Sequence, residues 1–105
     1  MADSRVKVAL TKDIPAGEGR VCEAGGHALA IFNVGGRFYA LDNACAHHGG
    51  PLGEGDLEGT IVRCPWHSWR WDVRTGTNAN NPAVQMASFP VTVQDGAVFV
   101  DIAGV

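Results

Sequence analysis

Basic residues are scarce in this chain, and that scarcity excludes one class of partner. The 105 residues include 8 Lys and Arg against 11 Asp and Glu, so the formal net charge at pH 7 is -3. Nucleic acid is not an expected partner, because neutralising phosphates takes clustered Lys and Arg side chains. A basic protein surface is the better match for this charge.

Long apolar runs are also missing. No stretch is long enough to cross a bilayer, and the opening residues MADSRVKVAL lack a basic segment followed by an apolar one. We therefore expect a cytoplasmic protein with no membrane segment. A hydrophobic content of 46% is enough for one core, so residues 1–105 are expected to form a single domain.

Cysteine occurs only three times, an odd number that cannot be fully paired in disulfides. This favours a reducing compartment. Cys22 stands apart from the other two, and we expect it to be a small buried apolar residue. Cys45 and Cys64 are each followed closely by a histidine, His47 in Cys-x-His and His67 in Cys-x-x-His.

Short segments rich in branched and aromatic residues, separated by glycine turns, predict a mainly antiparallel β fold. Residues 6–10 form the first such segment. Residues 28–33 and 37–41 flank Gly35-Gly36 and predict a β-hairpin, because glycine adopts the backbone angles that tight hairpin turns need.

A second hairpin is predicted near the end of the sequence. Residues 89–94 and 97–102 flank Asp95-Gly96, a favoured hairpin turn. Alternating valines predict that one face of each strand points inward. These are Val91, Val93, Val98 and Val100.

Residues 43–82, between the two hairpins, hold both Cys–His pairs, all three tryptophans and many glycines. They are expected to form a loop-built binding subdomain inserted between the hairpins. Short strands are predicted at 60–63 and 69–73. A turn of helix near Pro51 or Glu54 is compatible with the sequence.

The two Cys–His pairs offer two thiolates and two imidazoles, a donor set that suits zinc as well as an iron-sulfur cluster. Zinc fingers usually pair Cys with Cys and His with His, whereas here each segment supplies one of each. This arrangement favours the cluster. A structural zinc-binding interaction domain is the alternative from a different functional class.

The chain resembles the Rieske family, whose motif is Cys-x-His, a spacer and then Cys-x-x-His. The segments CAHHGG and CPWHSW of this chain match that motif, with a spacer of 16 residues between the pairs. The acidic glycine-rich spacer and residues 72–76 are similar as well. The resemblance implies an all-β, Rieske-like antiparallel β-sandwich with one 2Fe-2S cluster. It implies that two cysteines hold one iron and two histidines the other, where electrons enter and leave. The implied ligands are Cys45, His47, Cys64 and His67.

The resemblance also implies residues around the cluster. Gly50 and Trp66 occupy positions where membrane-bound members have cysteines of a disulfide, and Trp69 and Trp71 replace hydroxyl donors to the cluster. Fewer donors predict a potential toward the lower end of the roughly -150 to +300 mV Rieske range. Trp66 is expected to shield the sulfides of the cluster from water, and Trp71 is expected to pack in the core. Ser68 and Pro82 complete this set.

Several other residues invite a functional interpretation. His48 is expected to be an exposed loop residue, because using it as a ligand would change the first spacing, and His27 to be structural or exposed. The acidic residues of the spacer either form a docking surface or are simply solvated. They are Glu54, Asp56 and Glu58, with Asp42 nearby.

The chain combines an expected low potential with the lack of a membrane segment and of a second metal site. In this it resembles the Rieske ferredoxins of multicomponent oxygenases, which act in aromatic hydrocarbon catabolism. The resemblance implies an electron carrier, neither an enzyme by itself nor a binder of a small-molecule substrate. Its implied partners are a flavoprotein NAD(P)H reductase and a terminal ring-hydroxylating oxygenase. The alternative within electron transfer is a small Rieske-type subunit of an assimilatory nitrite reductase.

Overall fold

Short strands joined by turns make up most of the computed structural model, which describes residues 5–24, 26–43, 52–64, 70–81, 83–86 and 88–102. Branched and aromatic residues favour the strands, and glycines favour the turns. Two 3-10 helices cover Thr11–Asp13 and Leu52–Glu54. The strands are β1 Arg5–Leu10, β2 Gly19–Ala24, β3 His27–Val34, β4 Arg37–Asp42, β5 Asp56–Glu58, β6 Ile61–Arg63, β7 Arg70–Asp72, β8 Thr77–Asn78, β9 Ser88–Phe89, β10 Val91–Gln94 and β11 Ala97–Asp101.

The strands form three sheets. The terminal sheet has the order β1-β11-β10, the central sheet β2-β3-β4-β9 and the inserted sheet β5-β6-β7-β8. Every strand pair in these sheets is antiparallel. The predicted all-β antiparallel class is therefore confirmed. Within the described ranges, no helix has the length and apolar character needed to span a bilayer.

The central sheet is buried on both faces, because alternate residues of a strand point to opposite sides. Leu29 and Ile31 of β3 pack in one buried cluster with Val98 and Val100 of the terminal sheet. The alternate residues belong to a second cluster, which includes buried residues of the inserted sheet. Its members from the central sheet are Ala30, Phe32 and Leu41.

Both predicted hairpins are confirmed. The β3–β4 turn uses Gly35 and Gly36 with φ of 58° and 94°, and the β10–β11 turn uses Asp95 and Gly96 with φ of 53° and 74°. Two successive positive φ values produce the turn twist that matches paired strands. The turn chemistry therefore defines the register of both hairpins.

The second hairpin departs from its prediction at two points. The segment 89–94 is divided at Pro90, and β9 pairs with β4 in the central sheet instead, because proline has no N–H to donate to a sheet. The predicted inward orientation of Val93 is wrong, since this residue is 48% exposed. β10 is an edge strand, so Val93 has a neighbouring strand on one side only.

The inserted sheet is more regular than the predicted loop-built subdomain. The predicted strands at 60–63 and 69–73 correspond to β6 and β7, and β5 and β8 extend them to four strands. The acidic spacer contains the 3-10 helix Leu52–Glu54 and then β5. In β5, Leu57 packs against the core between two exposed acidic residues, so one apolar residue is enough to orient this short strand.

Candidate metal centre

Cys64 is the one predicted ligand that lies within the described residues. For the other three predicted ligands, the structure describes the chain on either side of the segments that contain them. Among the side chains that the structure describes, no group of three or more His, Cys, Asp or Glu could hold a metal ion. The predicted site residues outside the described part are Cys45, His47, His67, Gly50, Trp66, Ser68, Trp69 and Pro82.

The residues on either side of the first ligand segment, residues 44–51, are joined to each other through Asn43. The N–H of Leu52 donates a hydrogen bond to the carbonyl oxygen of Asn43 at 2.8 Å. The N–H of Gly53 donates to the side-chain Oδ1 of Asn43, also at 2.8 Å. Asn43 is itself held, because its N–H donates to the carbonyl oxygen of Ala28 at 3.1 Å. One residue therefore closes the base of this segment.

The second ligand segment, residues 65–69, connects two paired strands. β6 ends at Arg63 and β7 begins at Arg70, and these residues face each other in antiparallel register. Cys64 directly follows β6 and is only 1% exposed. It belongs to the same buried cluster as Trp71. The Cys64 side chain thus lies at the base of the segment, away from solvent.

The bases of the two ligand segments meet in this core. Leu52 follows the first segment and Cys64 precedes the second, and both belong to one buried cluster. The N–H of Gly55 donates to the carbonyl oxygen of Leu52 at 3.0 Å. A Cβ at Gly55 would overlap the carbonyl oxygen of Arg63, so the absence of a side chain permits the close approach. The fold therefore brings Leu52, which follows the first segment, and Cys64, which precedes the second, to the same part of the core.

A third segment, residues 79–81 after β8, is anchored to Arg70, the first residue of β7. The N–H of Ala79 donates to the carbonyl oxygen of Arg70 at 2.9 Å. Asn78 is 3% exposed, and its Oδ1 accepts hydrogen bonds from the N–H groups of Asn80 at 2.8 Å and Asn81 at 3.0 Å. The chain leaving β8 is therefore held against the first residue of β7.

The two described cysteines lie in different cores. Cys22 is 8% exposed and packs between the central and terminal sheets, so its predicted burial is confirmed. Burial raises the pKa of the Cys22 thiol, against an opposing effect of Arg20. The thiolate is the form that binds metals. Its surroundings therefore make Cys22 a poor ligand.

One other sequence expectation has a structural outcome. Trp71 is fully buried in the cluster that contains Cys64, which confirms core packing. His27 is the first residue of β3, whereas His48 lies outside the described residues.

The acidic residues of the spacer share their surface with arginines. Glu54 and Glu58 are exposed, but Asp56 forms an ion pair with Arg63 at 3.0 Å between Nη2 and Oδ2. Arg70 lies opposite Arg63 on the next strand. This surface therefore presents both signs of charge, and the acidic docking surface stays a hypothesis.

Asp72 and Arg74 form an ion pair with three hydrogen bonds at the end of β7. Arg74 donates from Nε to Oδ1 at 3.1 Å and from Nη2 to Oδ2 at 2.9 Å, while its backbone N–H donates to Oδ1 at 2.9 Å. These hydrogen bonds lower the pKa of Asp72, with burial opposing the shift. They raise the pKa of Arg74.

This pair predicts a contribution to acid stability. Because the folded pKa of Asp72 is lowered below its unfolded value of about 3.9, its stabilisation is present above that value. It is lost as the pH falls through the lowered folded pKa. We expect Arg74→Gln to reduce the free energy of unfolding slightly at pH 7, and the difference from wild type to shrink as the pH falls through the lowered pKa of Asp72.

Urea unfolding at several pH values measures this difference. The matched control is Arg37→Gln, which removes an exposed arginine that forms no ion pair with another described residue. The difference between the control and wild type should not change between pH 7 and acid. A pH-independent effect of Arg74→Gln would show that the Arg74 side chain does not lower the pKa of Asp72.

Sequence analysis missed three residues that build the bases of these segments. Asn43 and Asn78 each follow or end a strand and accept backbone N–H bonds through Oδ1, as asparagines do in turns. An Asn directly beyond an apolar strand is a signal that could have identified Asn43. Gly55 carries no comparable signal, because its role depends on the approach of Arg63.

Comparisons with known proteins agree with this geometry. A family model described as the Rieske [2Fe-2S] domain matches residues 4–90. The ferredoxin component of the p-cumate 2,3-dioxygenase system of Pseudomonas putida is 44% identical over 100 residues, covering 92% of this chain and 85% of that protein.

Two solved structures extend the similarity to the whole fold. One is a chain from the complex of reduced oxygenase and oxidised ferredoxin in carbazole 1,9a-dioxygenase, which matches this chain with a TM-score of 0.85 and 34% identity. It covers 95% of this chain and 94% of that one. The ferredoxin of carbazole 1,9a-dioxygenase from Nocardioides aromaticivorans has a TM-score of 0.86 and 27% identity, with coverages of 92% and 96%.

Proposed function

The chain belongs to the Rieske [2Fe-2S] domain family, and on that premise we propose that its cluster is held by Cys45, His47, Cys64 and His67. The observation that carries this assignment is that the bases of the two ligand segments meet, with Cys64 buried at the base of the second. The donor set fits the group, because two thiolates and two imidazoles are the ligands of a Rieske centre.

A bound Rieske cluster accepts and releases one electron at a time. The chain is an electron carrier, and its relatives are named as ferredoxin components rather than as catalysts. Its own residues position the ligands. The core holds Cys64 away from water, and Asn43 and Asn78 fix the ends of the adjoining segments. Rigid attachment of the ligands limits rearrangement during electron transfer, because fewer groups have to move.

We propose that this carrier passes electrons from a flavoprotein NAD(P)H reductase to a terminal ring-hydroxylating oxygenase. A similar ferredoxin has been solved in complex with the oxygenase of carbazole 1,9a-dioxygenase, which supports the oxygenase as acceptor. The reductase is proposed because a carrier needs an electron donor. A cytoplasmic location is part of the proposal, supported by the buried thiol of Cys22, which is not in a disulfide.

The wider organisation of the site is also a proposal. Residues 1–105 would act as one domain in which residues 43–82 form the cluster-binding subdomain, supported by the inserted sheet and the anchored segments. Residues close to the ligands in sequence would surround the cluster and tune its potential. They are Gly50, Trp66, Ser68, Trp69 and Pro82.

The alternatives have less support. The relatives reported above are named as parts of dioxygenase systems, which favours an oxygenase partner over a nitrite reductase. The matching family model describes a 2Fe-2S domain, which argues against a structural zinc domain.

Anaerobic purification tests this function directly. We expect a coloured protein with iron and acid-labile sulfide, and an electron paramagnetic resonance signal after dithionite reduction that differs from that of an all-cysteine cluster. Mixed with a reductase and an aromatic-ring dioxygenase from the same source, it should support NAD(P)H-dependent product formation. A colourless protein that contains zinc and no sulfide would contradict the proposal.

A further inference from the structure

The outer face of the inserted sheet carries a row of three charged side chains. Asp56 of β5 lies opposite Arg63 of β6, which lies opposite Arg70 of β7. All three side chains are exposed. The next residues along the same strands, Val62 and Trp71, are buried on the inner face, as the alternation of a strand requires.

Only part of this row is neutralised. Two like charges directly opposite each other in an antiparallel pair are unfavourable. Asp56 neutralises Arg63 through its 3.0 Å ion pair. Arg70 forms no ion pair with any residue that the structure describes. A second carboxylate beside Arg70 would therefore complete an alternating row of charges.

The row borders a surface cleft of about 380 Å³. Its walls include Arg70, the outer face of β5 and β6, and the anchored segment after β8. Ala79 and Asn80 line the cleft with Arg70, and the carboxylates Asp56 and Glu58 line it as well. A carboxylate that enters is therefore favoured beside Arg70 and repelled near β5. A guanidinium pairs preferentially with a carboxylate, because its planar N–H groups match the two oxygens.

We propose that this cleft receives a carboxylate side chain of the oxygenase, with Arg70 as its main contact. The inference rests on the proposed function as an electron carrier. Arg70 directly follows the segment that contains His67, so a carboxylate bound there orients the acceptor over the end of the core where the ligand segments meet. The same partner would present basic residues to the exposed Glu54 and Glu58.

Arg70→Gln tests the proposal, with Arg37→Gln as its matched control. Both substitutions remove one exposed arginine. Arg37 begins β4, roughly 17 Å along the strand from Asp42 at the ligand end. Stopped-flow spectroscopy measures the second-order rate of electron transfer from reduced protein to the oxygenase at low and high salt, and the rate of reduction by the reductase.

We expect Arg70→Gln to slow transfer to the oxygenase by about fivefold at low salt, and the difference to shrink at high salt. Arg37→Gln should leave the rate within about twofold of wild type. Arg70→Lys should restore part of the rate, because it keeps the charge and loses the planar fork. The melting temperature and paramagnetic spectrum of each variant report whether the fold and cluster are intact.

Equal rates for Arg70→Gln and Arg37→Gln would overturn the proposal, as would an effect confined to the reductase step. Either result leaves the electron-carrier function in place. Failure of the wild-type protein to bind a cluster or reduce the oxygenase would instead contradict the proposed function, so the two failures are distinguishable.

Discussion

Replacement of Cys64 by alanine is expected to yield a protein without iron or acid-labile sulfide. The proposed centre needs the Cys64 thiolate as a ligand, and no other described cysteine lies in the same buried cluster. Visible absorbance, iron and sulfide contents and the paramagnetic signal of the reduced protein measure the loss. Cys64→Ser should also fail to restore a normal centre, because an alcohol is a poor substitute for a soft thiolate.

Cys22→Ala is the matched control for this experiment. Cys22 is the other buried cysteine that the structure describes, and it packs between the central and terminal sheets. The control should keep the full cluster and lose about 1 kcal/mol of stability. A cluster that persists in Cys64→Ala and disappears in Cys22→Ala would reverse the proposed ligand assignment.

Trp71→Ala is expected to lower the free energy of unfolding by about 3–5 kcal/mol. Trp71 is fully buried and shares its cluster with Phe32 of the central sheet and Cys64. The substitution leaves a cavity where the inserted sheet packs against the central one, so it also weakens the support of the second ligand segment. Urea unfolding at pH 7, followed by circular dichroism, measures the change.

Trp71→Phe provides the comparison, because it keeps an aromatic ring in the cavity and should cost less. The two variants also separate core packing from shielding of the cluster. Core packing predicts a large loss of stability in Trp71→Ala. An alanine variant with wild-type stability and a shifted potential would mean that Trp71 acts on the cluster and not on the core.

These two predictions depend on the same buried cluster, which contains both Cys64 and Trp71. Cys64 contributes a ligand to the proposed centre, and Trp71 supplies bulk to the layer that holds Cys64 in place. Loss of the Cys64 ligand is expected to remove the cofactor while the cluster between the central and terminal sheets stays intact. Loss of the Trp71 side chain is expected to destabilise the fold and, as a result, to weaken binding of the cofactor. Measuring stability and cluster content in both variants therefore separates the two roles.

The hairpins were predictable because their signals are local. Gly35-Gly36 and Asp95-Gly96 adopt positive φ at the turns, and the flanking residues have the composition of strands. β2 was not predicted and β9 was predicted as one strand with β10, because the positions of β2 and β9 depend on partners distant in sequence. β9 pairs with β4, and only two residues of it lie in the ladder, too few to leave a pattern.

The central sheet shows why sequence periodicity was a limited guide. In β3 the residues Leu29 to Phe32 are all buried, because one face meets the terminal sheet and the other meets the inserted sheet. A strand buried on both faces has a continuous apolar run and no alternation. In β10, by contrast, the alternation is present but Val93 is exposed, since periodicity does not report the extent of the covering layer.

The sequence by itself determined which side chains can serve as metal ligands and where the tight turns lie, because donor chemistry and positive φ are properties of single residues and their immediate neighbours. Only the tertiary structure decided that Cys22 and Cys64 occupy separate cores, that Asn43 and Asn78 close the segments, and that Arg70 faces Arg63. These relations join residues far apart in the chain through packing and strand register, which no local pattern encodes.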